Sequence, residues 1–214
     1  MVRLQPRGKD GFIQKIRRGG WVLDVGCGND SPAQFKKQRP DIVYVGIDVG
    51  DYNQTLDPTH YADEYILASP EGFAQAIAAF AGKCDAVVSA HNLEHCLDPD
   101  AVLESMLAAV KPGGRLYIAF PCEASIRFPQ RDGSLNFYDD ATHRLPPDYE
   151  KTLAQIESAG FHIEFARRRY RPWALFLMGL VLEPVSHVLK RTMPMYSTWA
   201  FYGFETIIWA ERPL

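Results

Sequence analysis

No run of this 214-residue chain is apolar for the roughly 20 residues that a bilayer-spanning helix needs; the longest, residues 172–182, stops well short. Cysteine is scarce. Cys27, Cys84, Cys96 and Cys122 are the four, and no two sit close enough for a zinc ribbon or a dithiol redox motif. Residues 1–10 hold no apolar core, so no secretory signal is expected there, and reduced thiols in the cytoplasm are the simplest expectation. Basic residues are not in excess: 23 Lys and Arg face 26 Asp and Glu, a net charge of −3, so no nucleic-acid partner is expected. Internal repeats and low-complexity tracts are absent, which excludes solenoids and disordered linkers. What is present, 47% hydrophobic and 23% charged residues, suits one globular domain spanning 1–214 with a sizeable core.

Short apolar runs alternate with helical patterns, which predicts an α/β fold built on a parallel sheet. Strands are expected at 21–25, 42–47, 65–68, 85–89, 115–120, 161–165 and 204–209. Ser31-Pro32, Ser69-Pro70 and Asp98-Pro99 read as helix starts, each a capping residue followed by proline at the first helical position. Phe73, Ile77 and Phe80 share one helical face, as do Val102, Leu103, Met106, Leu107 and Val110 on the next helix. A further helix carries Tyr149, Leu153 and Ile156 and ends at Gly160. Two segments, 121–146 and 170–200, stand outside the alternation, and insertions of that length in a compact domain are usually functional.

The stretch VLDVGCG at 22–28 ends a strand on a glycine turn, where an open α/β sheet binds its ligand. Glycine at 26 and 28 permits unusual backbone angles and close approach of a ligand. A dinucleotide site would place a third glycine where Ser31 stands, and an apolar residue where Asp24 stands. A carboxylate at 24 repels a pyrophosphate and suits a ligand carrying an ammonium and a sulfonium. Asp48, closing the second strand, is placed to accept hydrogen bonds from ribose hydroxyls. A nicotinamide-dependent oxidoreductase is therefore the weaker alternative. Each of these residues also has a plain reading, the glycines making a tight turn and Asp48 capping a loop.

With these residues in place, the chain resembles the class I S-adenosylmethionine-dependent methyltransferases. The resemblance rests on residues 22–28, on Val45-Gly-Ile-Asp48, on 110–118 (VKPGGRLYI) and on 85–95 (DAVVSAHNLEH), in family order across most of 20–120. It implies a Rossmann-like, seven-stranded, mostly parallel sheet with helices on both faces and the last strand antiparallel. It implies S-adenosylmethionine as cofactor, with Asp24, Gly26, Cys27 and Gly28 near the methionine moiety and Asp48 on the ribose. Ala90, His91 and Asn92 would line the cofactor.

Methyl transfer from a sulfonium is a direct displacement, helped by a base when the acceptor is a hydroxyl. His95 and His143 are the candidate catalytic groups, with His91 and Glu94 beside them. His91-x-x-Glu94-His95 matches the spacing of an inverted zinc-protease motif, but that motif belongs on a helix of a different fold. Ubiquinone-type O-methyltransferases resemble the same segment with a Glu-x-x-Glu-His metal site; His91 replaces their first glutamate, and no metal is expected. Residues 136–143 (NFYDDATH) resemble the Asp-Pro-Thr-His segment of small bacterial methyltransferases associated with surface-glycan biosynthesis, with Ala141 in place of the proline. That implies Tyr138, Asp139 and Asp140, with His143, over the acceptor; otherwise the loop is a polar surface anchored by Phe137. The Asn/Asp-Pro-Pro-aromatic motif of nucleic-acid base methylation does not follow the fourth strand. The expected function is methylation, on oxygen, of a small-molecule or glycan-type acceptor, with a catalytically silent binding domain as the alternative. The apolar run at 172–182 lies between Arg167-Arg-Arg169 with Arg171 and Lys190-Arg191. Residues 172–190 are therefore either a peripheral membrane contact or a helix packed as a substrate lid or homodimer contact.

Overall fold

Runs rich in β-branched and aromatic residues become seven strands: β1 Trp21–Val25, β2 Val43–Asp48, β3 Glu64–Leu67, β4 Cys84–Ala90, β5 Val110–Pro121, β6 His162–Arg167 and β7 Glu205–Glu211. The computed structural model describes residues 4–214. All seven form one sheet in the order β3-β2-β1-β4-β5-β7-β6. Only β7 is reversed, antiparallel to both β5 and β6. Seven helices accompany them among the described residues: α1 Lys9–Ile13, α2 Ser31–Gln38, α3 Phe73–Ala78, α4 Pro99–Ala109, α5 Tyr149–Ser158, α6 Trp173–Leu189 and α7 Ser197–Tyr202.

Both faces of the sheet are covered, which explains why the strands read as near-continuous apolar runs. On one face Leu23, Val25 and Val87 pack with Phe73 and Ile77 of α3, Leu103 and Met106 of α4 and Ile156 of α5. On the other Val22, Tyr44, Tyr117 and Trp209 pack with Phe12 and Ile13 of α1 and Phe35 of α2. Chain order reverses between β1 and β4, so a crevice opens beyond their carboxyl ends, at Gly26 and His91.

Three expected boundaries move, each for a local reason. The cap of α2 is Asp30 and not Ser31: Asp30 sits at φ 54° with its carboxylate accepting from Thr55 and Leu56, while the Ser31 hydroxyl is used elsewhere. Ser69 closes a turn by accepting from the Gly72 amide at 3.1 Å, and α3 begins only at Phe73. Val110 opens β5 and does not close α4, which ends at Ala109. Asp98 does cap α4, accepting from the Ala101 amide at 3.0 Å.

The segment 170–200 folds into α6 and α7, which pack closely because Gly179 leaves no side chain between them. A Cβ there would collide with the Ser197 carbonyl and come within 2.7 Å of the Phe201 Cβ. Helix propensity favours alanine over glycine by about 1 kcal/mol, so the sign of Gly179→Ala is set by this collision. Gly179→Ala is expected to lower stability by about 1–3 kcal/mol, the range for overpacking, measured by urea unfolding; a stabilised variant would refute the contact.

Candidate active site

Asp24 is fully buried on β1, and its two oxygens have different fates. Oδ2 accepts from the Ser31 hydroxyl at 2.5 Å, the Tyr44 hydroxyl at 2.7 Å and Lys9 Nζ at 3.3 Å. Oδ1 has no partner. A buried carboxylate oxygen left unpaired is costly, so it is a natural acceptor for a donor-bearing cationic ligand. Lys9 also donates to Ser31 Oγ at 2.7 Å, placing α1 over the turn.

The glycine turn is shaped by the protein's own packing. Gly26 has φ 77°, and a Cβ there would lie 2.5 Å from the Asn92 Cβ; at Gly28 it would lie 2.9 Å from the Tyr52 carbonyl oxygen. Gly26 thus has the unusual backbone angle expected of it, and both glycines also admit protein neighbours, Asn92 and the 50–56 loop. Cys27 is fully buried, and burial pushes its thiol well above the ordinary range, so it contributes no nucleophile. Asp48 is nearly buried at the end of β2 and accepts from the Val49 amide at 2.7 Å. Burial raises its carboxyl pKa to about 6, partly offset by backbone N–H groups of Val49, Gly50 and Gly28.

Beyond β4, Ala90 is half-buried and His91 adopts φ 53°. The His91 ring turns toward β7 and α7: Nε2 lies 3.0 Å from Glu205 Oε1, Nδ1 lies 3.3 Å from Glu94 Oε1, and the ring stacks on Phe204. Burial alone would lower its pKa; the Glu205 and Glu94 carboxylates prevail and hold it at about 10, an imidazolium at neutral pH. This side chain is thus an internal ion-pair partner, and only its backbone remains beside the crevice where cofactor contact was expected. Asn92 is buried, pressed on Gly26 and linked to Cys96.

Three residues on, at His95, the acceptor-side histidines converge. His95 and His143 have ring centroids 4.7 Å apart, although they are 48 positions apart in the chain. Thr142 Oγ1 donates to Asp140 Oδ1 at 2.6 Å, so at 2.9 Å it must accept from His95 Nδ1. Asp140 is held ionised for that role, since the Thr142 bonds overcome the effect of burial and lower its pKa. His143 Nδ1 faces the Phe137 carbonyl at 2.5 Å and must donate to it. In their neutral forms both rings therefore carry the free lone pair on Nε2. Burial lowers the His95 pKa, keeping that ring neutral at pH 7. Glu94 is fully buried beside them, its Oε1 facing His91 and its Oε2 without a partner, and ligand atoms of Glu94, His95 and His143 lie within 4.8 Å of one another. One carboxylate and two imidazoles can also serve a divalent ion such as zinc.

The remaining loop residues divide. Asp139 holds the loop together, with Oδ2 accepting from the amides of Arg131, Leu135 and Asn136, so it is a cap where an acceptor contact was expected. Tyr138 is 63% exposed at the rim. Arg144 straps the loop down, its amide donating to the Glu94 carbonyl at 2.9 Å and its Nε to the His95 carbonyl at 3.1 Å. A cavity of about 320 Å³ opens beside it, lined by Gly133, Thr192, Met193, Met195, Tyr196 and Trp199. Lys9, Tyr44, Thr142, Arg144 and Glu205 escaped the sequence reading; only Thr142 and Arg144, flanking His143, had a local signal.

A family model described as a methyltransferase domain matches residues 5–176. Curated relatives named ubiquinone biosynthesis O-methyltransferase include one from Pseudomonas fluorescens, 31% identical over 47% of this chain and 44% of its own, and one from Escherichia coli O127:H6, 32% identical over 51% and 47%. The chain thus spans a little under half the length of these relatives. Among solved structures, an S-adenosylmethionine-dependent methyltransferase from Archaeoglobus fulgidus superposes with a TM-score of 0.58 at 19% identity, covering 94% of this chain and 90% of its own. Haemonchus contortus phosphoethanolamine N-methyltransferase 2, solved with S-adenosyl-L-methionine, gives 0.62 at 15% identity over 96% and 52%. The nicotinamide alternative is set aside by the family match. The chain belongs to the methyltransferase-domain family and has the Rossmann-like fold of the S-adenosylmethionine-dependent methyltransferase on which it superposes.

Proposed function

We propose that this methyltransferase methylates a hydroxyl of a small-molecule acceptor, with His95 and His143 removing the proton. The observation that carries this reading is the pair of imidazoles, ring centroids 4.7 Å apart, whose Nδ1 atoms are both committed as donors, so that in the neutral forms proton acceptance falls to Nε2. The O-methyltransferase names of the part-length relatives support oxygen as the accepting atom. A glycan hydroxyl belongs to the same chemistry and is the second acceptor class. A silent binding domain would need neither imidazole in this state.

The crevice residues fit the cofactor. Asp24 Oδ1 is an orphaned buried acceptor suited to the ammonium, and the Asp48 carboxylate is suited to the ribose hydroxyls. When bound, S-adenosylmethionine supplies an electrophilic methyl carbon on a positively charged sulfur. The protein's part is to hold the acceptor oxygen in line and take its proton at Nε2 of His95 or His143. Positioning of this kind is worth about 7–11 kcal/mol of a barrier, and a general base typically adds about 10²–10⁴-fold.

Three measurements follow. The ionised Asp48 is the better acceptor of hydroxyl hydrogens, so cofactor binding favours its deprotonated form. Affinity for S-adenosylhomocysteine, measured by calorimetry, should rise as pH climbs from 5 through about 6 and then level off. Asp48→Asn should flatten that profile and weaken binding by about 1.5–3 kcal/mol, the value of a hydrogen bond to a charged group; a pH-independent wild type would remove Asp48 from the site.

His95→Ala and His143→Ala should each cut turnover by about 10²–10⁴-fold while leaving cofactor affinity nearly unchanged. Unaltered turnover would sink the base assignment. Activity lost to a chelator and restored by a divalent ion would reassign Glu94, His95 and His143 as metal ligands.

The acceptor is found by incubating the protein with methyl-labelled cofactor and fractionated cell extract. Label should enter a small-molecule fraction as an alkali-stable methyl ether. Label confined to protein or nucleic acid, or none at all with the cofactor tightly bound, would overturn the proposal.

A further inference from the structure

We propose that α6 docks this methyltransferase peripherally on an anionic lipid surface. Along α6, Trp173, Leu177, Leu180, Val181, Val185 and Val188 are 45–77% exposed, and Pro184 is exposed between them. Their spacing of three and four residues puts them on one stripe of the helix. The opposite stripe, Leu175, Gly179 and Ser186, is buried, with Gly179 against Ser197 and Phe201 of α7. So α6 is seated on the domain by one face and leaves a second apolar face open.

Charge identifies the occupant. The one acidic residue of α6, Glu183, is drawn inward to the Tyr202 hydroxyl at 2.6 Å and to Arg131 at 3.4 Å, so the open stripe carries no negative charge. Exposed cations stand at both ends: Arg169 and Arg171 before the helix, and Lys190 and Arg191 after it. None of these four is in an ion pair among the described residues; Arg169 and Arg171 donate to the Tyr202 carbonyl and lie over the Phe128 and Phe176 rings. A second copy packed across the stripe about a two-fold axis would bring these cations against their own kind, whether the helices ran parallel or antiparallel. An anionic bilayer offers both an apolar layer for the stripe and phosphates for the ends. No described helix is long and apolar enough to cross a membrane, so α6 lies in the interface, with Trp173 at headgroup depth.

The test uses the full chain and large unilamellar vesicles of phosphatidylcholine with or without phosphatidylglycerol. Expected is co-sedimentation with the anionic vesicles at least ten-fold above the neutral ones, diminished by salt. Val181→Glu with Val188→Glu, both surface positions, should reduce binding at least ten-fold. Lys190→Glu with Arg191→Glu should do likewise, since each cation near the surface contributes roughly five-fold. A second readout depends on no polar variant: brominated lipid should quench tryptophan emission in the wild type, and much less in Trp173→Phe. No anionic binding by the folded wild type, or binding insensitive to both double variants, overturns the proposal. A dimer in light scattering that Val181→Glu with Val188→Glu disperses, without vesicle binding, overturns it in favour of contact between copies.

Discussion

The buried carboxylate of Asp24 is the tie on which the cofactor side depends. Through one oxygen it joins α1 by Lys9, the start of α2 by Ser31 and β2 by Tyr44. A negative charge inside the sheet would be prohibitive without these donors. Together they hold the turn after β1 rigid and leave the second oxygen for a ligand. The same arrangement explains the missing third glycine: serine is required there because its hydroxyl completes the set around Asp24. Asn92, pressed on Gly26, then carries the crevice directly into the Leu93–His95 turn.

The acceptor side is built on a different plan. Its histidines are oriented by hydrogen bonds from one loop, through Thr142, Asp140 and the Phe137 carbonyl, and Asp139 and Arg144 keep that loop in place. Behind them the His91 imidazolium bridges Glu94 and Glu205, joining the end of β4 to β7. The loop is also stitched to the end of α6, since the Asp132 amide donates to the Lys190 carbonyl and the Thr192 amide to the Asp132 carbonyl. The two insertions are thus one structural unit.

Much of this was legible in the sequence wherever the determinant is local. The Asp24–Gly28 turn, the Asp98 cap and most strands follow from neighbouring residues and their period, and the covered sheet faces and the reversed last strand followed from the family resemblance. What escaped reading is long-range. Nothing near Lys9 signals a partner at 24, and His91 meets a glutamate 114 positions away. The capping role of Asp139 could not be read because its Oδ2 accepts from three amides that only the folded loop presents. Ser69-Pro70 shows the same limit, because a serine that closes a turn and one that caps a helix look alike until the next residues choose.

The position of β7 bears on how the chain reaches this state. It enters the sheet between β5 and β6, although it is made after both. Until residues 205–211 are in place, β6 has no neighbour in the sheet. A chain that has not yet placed β7 therefore carries an unpaired β6 and an open sheet edge at β5. Such exposure is what general chaperones bind and what promotes aggregation. Insertion of β7 is consequently the step that closes the sheet, and any delay in it prolongs the interval in which the β5 edge and all of β6 lack their pairing.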